Sequence, residues 1–161
     1  MSQQHATRQA VETDVPAITA LTRAAYAKWV PVIGREPTPM AANYAEAVRQ
    51  HRFDLIECDG QLAALLETIP AEGHLLIENV AVSPLHQGRG LGRALMAHAE
   101  RLATSLGYRE IRLYTNKLFT SNVQLYGRLG YRVDCEEAFR GGTTLHMSKP
   151  IPRSSATTAS S

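Results

Sequence analysis

HLLIENVAVSPLHQGRGLGR, from His74 to Arg93, passes from an apolar stretch through a glycine-rich turn into a helical pattern. Leu75 to Val82 reads as a buried strand, and Ser83-Pro84 stops it. Gln87-Gly88-Arg89-Gly90-Leu91-Gly92 then opens directly into a segment of helical period from Leu91 to Leu106. A strand, a glycine-rich turn and a helix start make a place to hold phosphate. Glycines let backbone N–H groups approach an anion, and the helix dipole puts roughly half a positive charge there. The dinucleotide fingerprint is not met, because Arg93 stands where its third glycine belongs, and no Gly-Lys-Ser/Thr triplet offers a P-loop.

Working outward, Thr7 to Val11 is a short first strand, and Thr13-Asp14-Val15-Pro16 starts a helix with a capping hydroxyl or carboxylate. Ile18, Leu21, Ala25 and Trp29 keep helical spacing to about Lys28. Trp29 to Met40, WVPVIGREPTPM, holds three prolines and a glycine, which forbid regular structure over most of it, yet it is rich in large apolar groups. It reads as a loop folded over the core, as a substrate-side wall, or as both, with Tyr26, Trp29, Ile33 and Tyr44 as its candidate contacts. Ala41 to His51 is a second helix, and Phe53–Cys58 and Gln61–Ile69 are strands joined by an Asp59-Gly60 hairpin turn. After the helix that Gly107 ends come a strand from Arg109 to Thr115, a helix from Ser121 to Leu129, and a pair of strands around Gly141-Gly142. A helix crossing between two buried strands makes them parallel neighbours or near neighbours.

Composition narrows the function. With 161 residues, 44% hydrophobic and 20% charged, the chain suits one globular domain over residues 1–149, and its Ser/Thr/Ala-rich end, 150–161, reads as a disordered tail. A net charge of +2 argues against a nucleic-acid or membrane partner. Two distant cysteines and scattered histidines predict neither a disulfide framework nor a metal site. No leader pattern or membrane-length apolar run is present, so a cytoplasmic protein is expected.

Gln87, Gly90 and Gly92 satisfy Gln/Arg-x-x-Gly-x-Gly/Ala after Val80-Ala-Val-Ser-Pro84. Downstream, Asn122-Val-Gln-Leu-Tyr126-Gly-Arg-Leu-Gly130-Tyr131 satisfies N-x-x-x-Y-x-x-x-G-F/Y. Together these motifs resemble the GNAT superfamily of acyl-CoA-dependent N-acyltransferases, and the element order resembles that fold from about Arg8 to Lys149. The resemblance implies an α+β fold, layered like α/β proteins, with a central mixed, mostly antiparallel sheet flanked by helices. It also implies acetyl-CoA as co-substrate. Gln87, Gly88, Arg89, Gly90, Leu91, Gly92 and Arg93 would surround the pyrophosphate, with Arg89 and Arg93 equally readable as solvated arginines. Val80, Ala81 and Val82 would pair with the pantetheine through their main chain, and Asn122 would hydrogen-bond the same ligand.

In the family, the tyrosine matching Tyr126 often protonates the departing thiolate, a task a phenol performs without prior charge; the residue can equally be a core aromatic beside Leu125 and Leu129. Glu78 and Asn79 interrupt an apolar strand and point to opposite faces of it, so each has to be paired, wet or functional. The resemblance makes Glu78 the general base; a hydrogen-bonded structural carboxylate is the other reading. His74 could substitute as base or simply end the strand, and His86 reads as a surface residue or weak phosphate contact. The function that follows is acetyl transfer to an amine in a ternary complex, with a small-molecule amine favoured over a protein. The rival is a non-catalytic acyl-CoA-binding sensor or regulatory module. GNAT folds are often dimers, so the resemblance extends to a homodimer.

Overall fold

The computed structural model describes residues 5–152. Seven strands form one sheet in the order β1-β2-β3-β4-β5-β7-β6. In chain order they are β1 (Arg8–Gln9), β2 (Arg52–Cys58), β3 (Gln61–Pro70), β4 (Leu75–Val82), β5 (Glu110–Asn116), β6 (Arg132–Phe139) and β7 (Gly142–Pro150). The helices are α1 (Val15–Tyr26), α2 (Val30–Ile33), α3 (Tyr44–Gln50), α4 (Leu91–Ser105) and α5 (Thr120–Arg128). Two compact units divide the chain: residues through Ile69 with Glu78–Ala97, and Pro70–Ile77 with the chain from His98 onward. Among the described residues, no helix is long and apolar enough to cross a membrane.

In the first unit, Asp14 does not cap α1 with its side chain. Its carboxylate accepts instead from the Val11 amide at 2.8 Å and from two Arg8 guanidinium nitrogens at 2.9 Å, and Arg8 holds it below the usual carboxylate range. The segment expected to be irregular is largely helical turns: a 3₁₀ turn at Ala27–Trp29, then α2, then a 3₁₀ turn at Thr38–Ala41. Pro31 and Pro39 sit in the first positions of their turns, where the missing N–H costs nothing and the fixed φ favours the helix. Asn43 caps α3 by accepting from the Glu46 amide at 3.2 Å, so that helix starts three residues later than expected.

β2 and β3 pair antiparallel through a hairpin in which Asp59 and Gly60 take φ of 54° and 76°, the two positive angles of a type I′ turn. Ile18, Leu21 and Ala25 of α1 pack with Tyr44 of α3 and with Phe53, Leu55, Leu65 and Ala81 of the strands. Burying a side chain the size of Ile18 or Leu65 contributes roughly 1.5–3 kcal/mol.

In the second unit, β4 and β5 run parallel with Leu75 beside Ile111 and Ile77 beside Leu113, the arrangement a crossover helix requires. β7 adds antiparallel to β5, placing Met147 opposite Leu113. All five of these side chains are buried. α4 ends in a Schellman motif: Tyr108 N–H reaches the Ala103 carbonyl at 2.9 Å and Gly107 N–H reaches Thr104 at 3.0 Å. β6 is exposed along its whole length, and Arg132, Asp134, Glu136 and Glu137 put charge on this sheet edge. Pro150 belongs to β7, and Ile151 is buried with its N–H on the Arg109 carbonyl, so ordered chain continues past the expected domain end. The rest of the expected tail, 153–161, lies outside the described residues.

Candidate active site

β4 alternates strictly: Leu75, Ile77, Asn79 and Ala81 are buried, while Leu76, Glu78, Val80 and Val82 are partly exposed. The strand ends where the Ser83 amide donates to the Ala63 carbonyl at 2.8 Å. Ser83 Oγ then accepts from the Leu85 amide at 3.3 Å and starts a 3₁₀ turn over Pro84–His86. His86, expected at the surface, is buried in that turn, and its Nδ1 has no hydrogen-bond partner among the described residues. The turn rolls the ring inward, an effect no local polarity announces.

Gln87, Gly88, Arg89 and Gly90 are all exposed. Gly88 and Gly90 hold φ of 80° and 77°, and a Cβ built on either would meet no atom within 4 Å. The left-handed backbone and the open space together expose main-chain amides where a side chain would otherwise stand. Gln87 Nε2 reaches back to the Val82 carbonyl at 3.5 Å. Leu91, Leu95 and Met96 anchor the helix start in the core, while Arg89 and Arg93 remain exposed. The first ladder bond runs from Ala94 N–H to the Gly90 carbonyl at 3.0 Å, so the amides before it lie outside the helix ladder. Such a cradle fits the diphosphate of a polyanionic ligand. Among the described residues, no group of three or more His, Cys, Asp or Glu could hold a metal ion.

The first unit also gathers polar groups on β3 and β4. Asn79 is 3% exposed, and its amide lies between the phenols of Tyr26 and Tyr44 at 2.8 and 3.3 Å. Tyr26 is partly exposed; Tyr44 is buried edge-on against Phe53 and donates to the Pro39 carbonyl at 2.7 Å. Burial pushes the Tyr44 phenol up to about 12. Trp29 is likewise buried, with Lys28 Nζ 5.0 Å from its ring centroid, while Ile33 ends α2 partly exposed.

Glu67, not singled out from sequence, is buried on β3 with Oε2 2.6 Å from Nδ1 of His51. Burial raises its pKa, the His51 hydrogen bond opposes that, and the charge of Glu78 adds to it. Glu67 interrupts an apolar strand just as Glu78 does, so the rule that flagged Glu78 applies to it equally.

In the second unit, Asn122 and Tyr126 are partly exposed on α5. Desolvation around the Tyr126 hydroxyl pushes its pKa up to about 12, leaving a fully protonated phenol at neutral pH. Its ring meets Tyr131 edge-on, centroids 6.2 Å apart. The Tyr131 hydroxyl is buried with no hydrogen-bond partner among the described residues, and burial raises its pKa as well. His74 stands just before β4 and helps to hold Glu110 below the usual carboxylate range, after the larger effect of Arg112.

The family model for the acetyltransferase (GNAT) family matches residues 17–131. Streptothricin acetyltransferase of Streptomyces lavendulae is 31% identical over 109 residues, a match that spans 62% of this chain and 58% of that protein. Among solved structures, a GNAT-family protein from Desulfovibrio desulfuricans superposes with a TM-score of 0.76 at 20% identity, covering 91% of this chain and 99% of the other. PaiA N-acetyltransferase of Thermoplasma acidophilum, solved in complex with coenzyme A, gives 0.74 at 18% identity, covering 93% and 99%.

Proposed function

The chain belongs to the acetyltransferase (GNAT) family, and on that footing we propose that it is an acyltransferase that moves the acetyl group of acetyl-CoA to an amine by direct attack in a ternary complex. The observation that carries the reading is the turn at Gly88 and Gly90: left-handed, open and exposed at the start of α4. Its amides and the helix dipole hold the diphosphate, with Arg89, Arg93 and Gln87 around it. The main chain of Val80–Val82 aligns the pantetheine amides and polarises the thioester carbonyl, and Asn122 steadies the same ligand. Bound acetyl-CoA supplies an activated acyl carbon.

Glu78, partly exposed on β4, takes the proton of the attacking amine directly or through one water. As the N–C bond forms and the C–S bond breaks, Tyr126 gives its phenolic proton to the leaving sulfur. The raised pKa keeps that proton in place beforehand. Alignment of the two reactants supplies much of the rate gain. The acceptor is a small-molecule amine, a choice supported by what the Streptomyces lavendulae relative is named for. Tyr26 and Ile33, both partly exposed, sit on the acceptor side.

The test is release of CoA thiol from acetyl-CoA across an amine panel, with acetyl-CoA binding followed by calorimetry on the same protein. Turnover with any amine supports the transferase and identifies its acceptor class. Tight binding without turnover on any amine points to a sensor instead, and absence of binding removes the reading of the glycine turn.

A further inference from the structure

Leu75, Ile77 and Ala81 are the buried apolar residues of one face of β4, and Asn79 stands among them. An aliphatic side chain would pack there without partners, whereas an amide has to find them. Its Oδ1 accepts from the Tyr26 hydroxyl at 2.8 Å and its Nδ2 donates to the Tyr44 oxygen at 3.3 Å. The Tyr44 proton goes to the Pro39 carbonyl at 2.7 Å, which can only accept. That fixes the sense of the whole chain. Tyr44 has no proton left for Asn79, so the amide turns its nitrogen toward Tyr44 and its oxygen toward Tyr26, and Tyr26 donates. The Tyr26 oxygen also lies 3.4 Å from the Val80 carbonyl oxygen. One proton thus has two acceptors in reach, and Asn79 makes the shorter contact.

We infer that Asn79 is a positioning residue that holds the Tyr26 proton away from the Val80 carbonyl and so leaves that carbonyl to the amide groups of bound acyl-CoA. The inference rests on the acetyl-transfer reading above, in which the main chain of β4 aligns those amides. Without the Asn79 oxygen, the Tyr26 proton falls to Val80, and the phenol competes with the incoming N–H for the same acceptor. An amide at this position is then explained by what it withholds from its neighbour, over and above what it binds.

The experiment measures acetyl-CoA affinity by calorimetry for the wild type, Asn79→Leu, and Asn79→Leu combined with Tyr26→Phe. Loss of the acceptor in Asn79→Leu should weaken binding about fivefold to tenfold, the worth of one hydrogen bond. Adding Tyr26→Phe removes the competing proton and should recover most of that loss. Where leucine prevents folding, Asn79→Ala takes its place in the same arms. A double variant weaker than the single one overturns the inference, because a packing role predicts that order. Wild-type binding with an unaffected Asn79→Leu overturns this inference alone; a wild type that does not bind acetyl-CoA overturns the transferase reading and this inference with it.

Discussion

The turn from Ser83 to Leu91 and the segment from Thr120 to Tyr131 carry the two motifs of the chain, and they are built in opposite ways. The turn is exposed from Gln87 to Gly90, a Cβ added to either of its two left-handed glycines would meet no atom within 4 Å, and what it offers is main chain. The α5 segment offers side chains: two phenols in edge contact, both with pKa raised by burial. One region works by keeping atoms away, the other by stripping water from atoms that are present. Substitutions in the first should therefore damage binding beyond the roughly 1–2 kcal/mol of strain that a side chain costs at a left-handed glycine, and substitutions in the second should separate turnover from binding.

The largest effect is expected at Gly90. Gly90→Glu places a β-branchless but charged side chain on a left-handed residue and sets a carboxylate where an anion is to bind. Acetyl-CoA affinity should fall by about a hundredfold or more, with Gly90→Ala losing about tenfold as its backbone relaxes out of the left-handed region and turns the amides away. Calorimetry beside thermal melts checks both. Equal affinity in Gly90→Glu and the wild type would mean that the open backbone is not where the phosphate sits.

Next comes Tyr126→Phe, which should lower kcat about a hundredfold, within the range of general acid catalysis, and leave acetyl-CoA affinity within about twofold. Unchanged turnover would demote Tyr126 to a packing aromatic and erase the contrast with the turn. A pH series sharpens the same point. The folded-state pKa of Tyr126 is about 12 against an ordinary 10.0, so the folded protein binds this proton more tightly than the unfolded chain does. The stability this adds is complete below the unfolded value and is lost as pH rises from 10.0 toward about 12. Urea unfolding across that window should show a steeper decline for the wild type than for Tyr126→Phe.

The sequence made the exposed region readable and much of the buried chemistry unreadable, for a physical reason. Glycines spaced after an apolar strand report a backbone requirement that is local, and so do Asp59-Gly60 and the helical period after Leu91. Asn79 meets its two phenols across 53 and 35 residues of chain, and Glu67 meets His51 across 16. Nothing in local pattern forecasts which distant side chain will satisfy a buried amide or carboxylate. The burial of Tyr44 and His86 was hidden in the same way. Trp29 to Met40 misled for the opposite reason: prolines read as breakers stand, at Pro31 and Pro39, in the second position of short helical turns, where a proline is tolerated.

The smallest effect belongs to Tyr131, the other phenol of the α5 segment. Its hydroxyl is buried without a hydrogen-bond partner among the described residues, while its ring packs against Tyr126 and lies 5.9 Å from the Lys149 ammonium, which is itself paired with Glu100 at 2.9 Å. Ring contacts survive a change to phenylalanine; the desolvated oxygen does not. Tyr131→Phe should therefore raise stability by about 1 kcal/mol in urea unfolding, because a buried polar group left unsatisfied costs on that order. A loss of the same size would mean that the hydroxyl is satisfied in solution, and the segment would then hold its phenols by hydrogen bonds as Asn79 holds Tyr26 and Tyr44. The contrast between the two regions would narrow to exposure alone, since both would present groups whose partners are fixed before any ligand arrives.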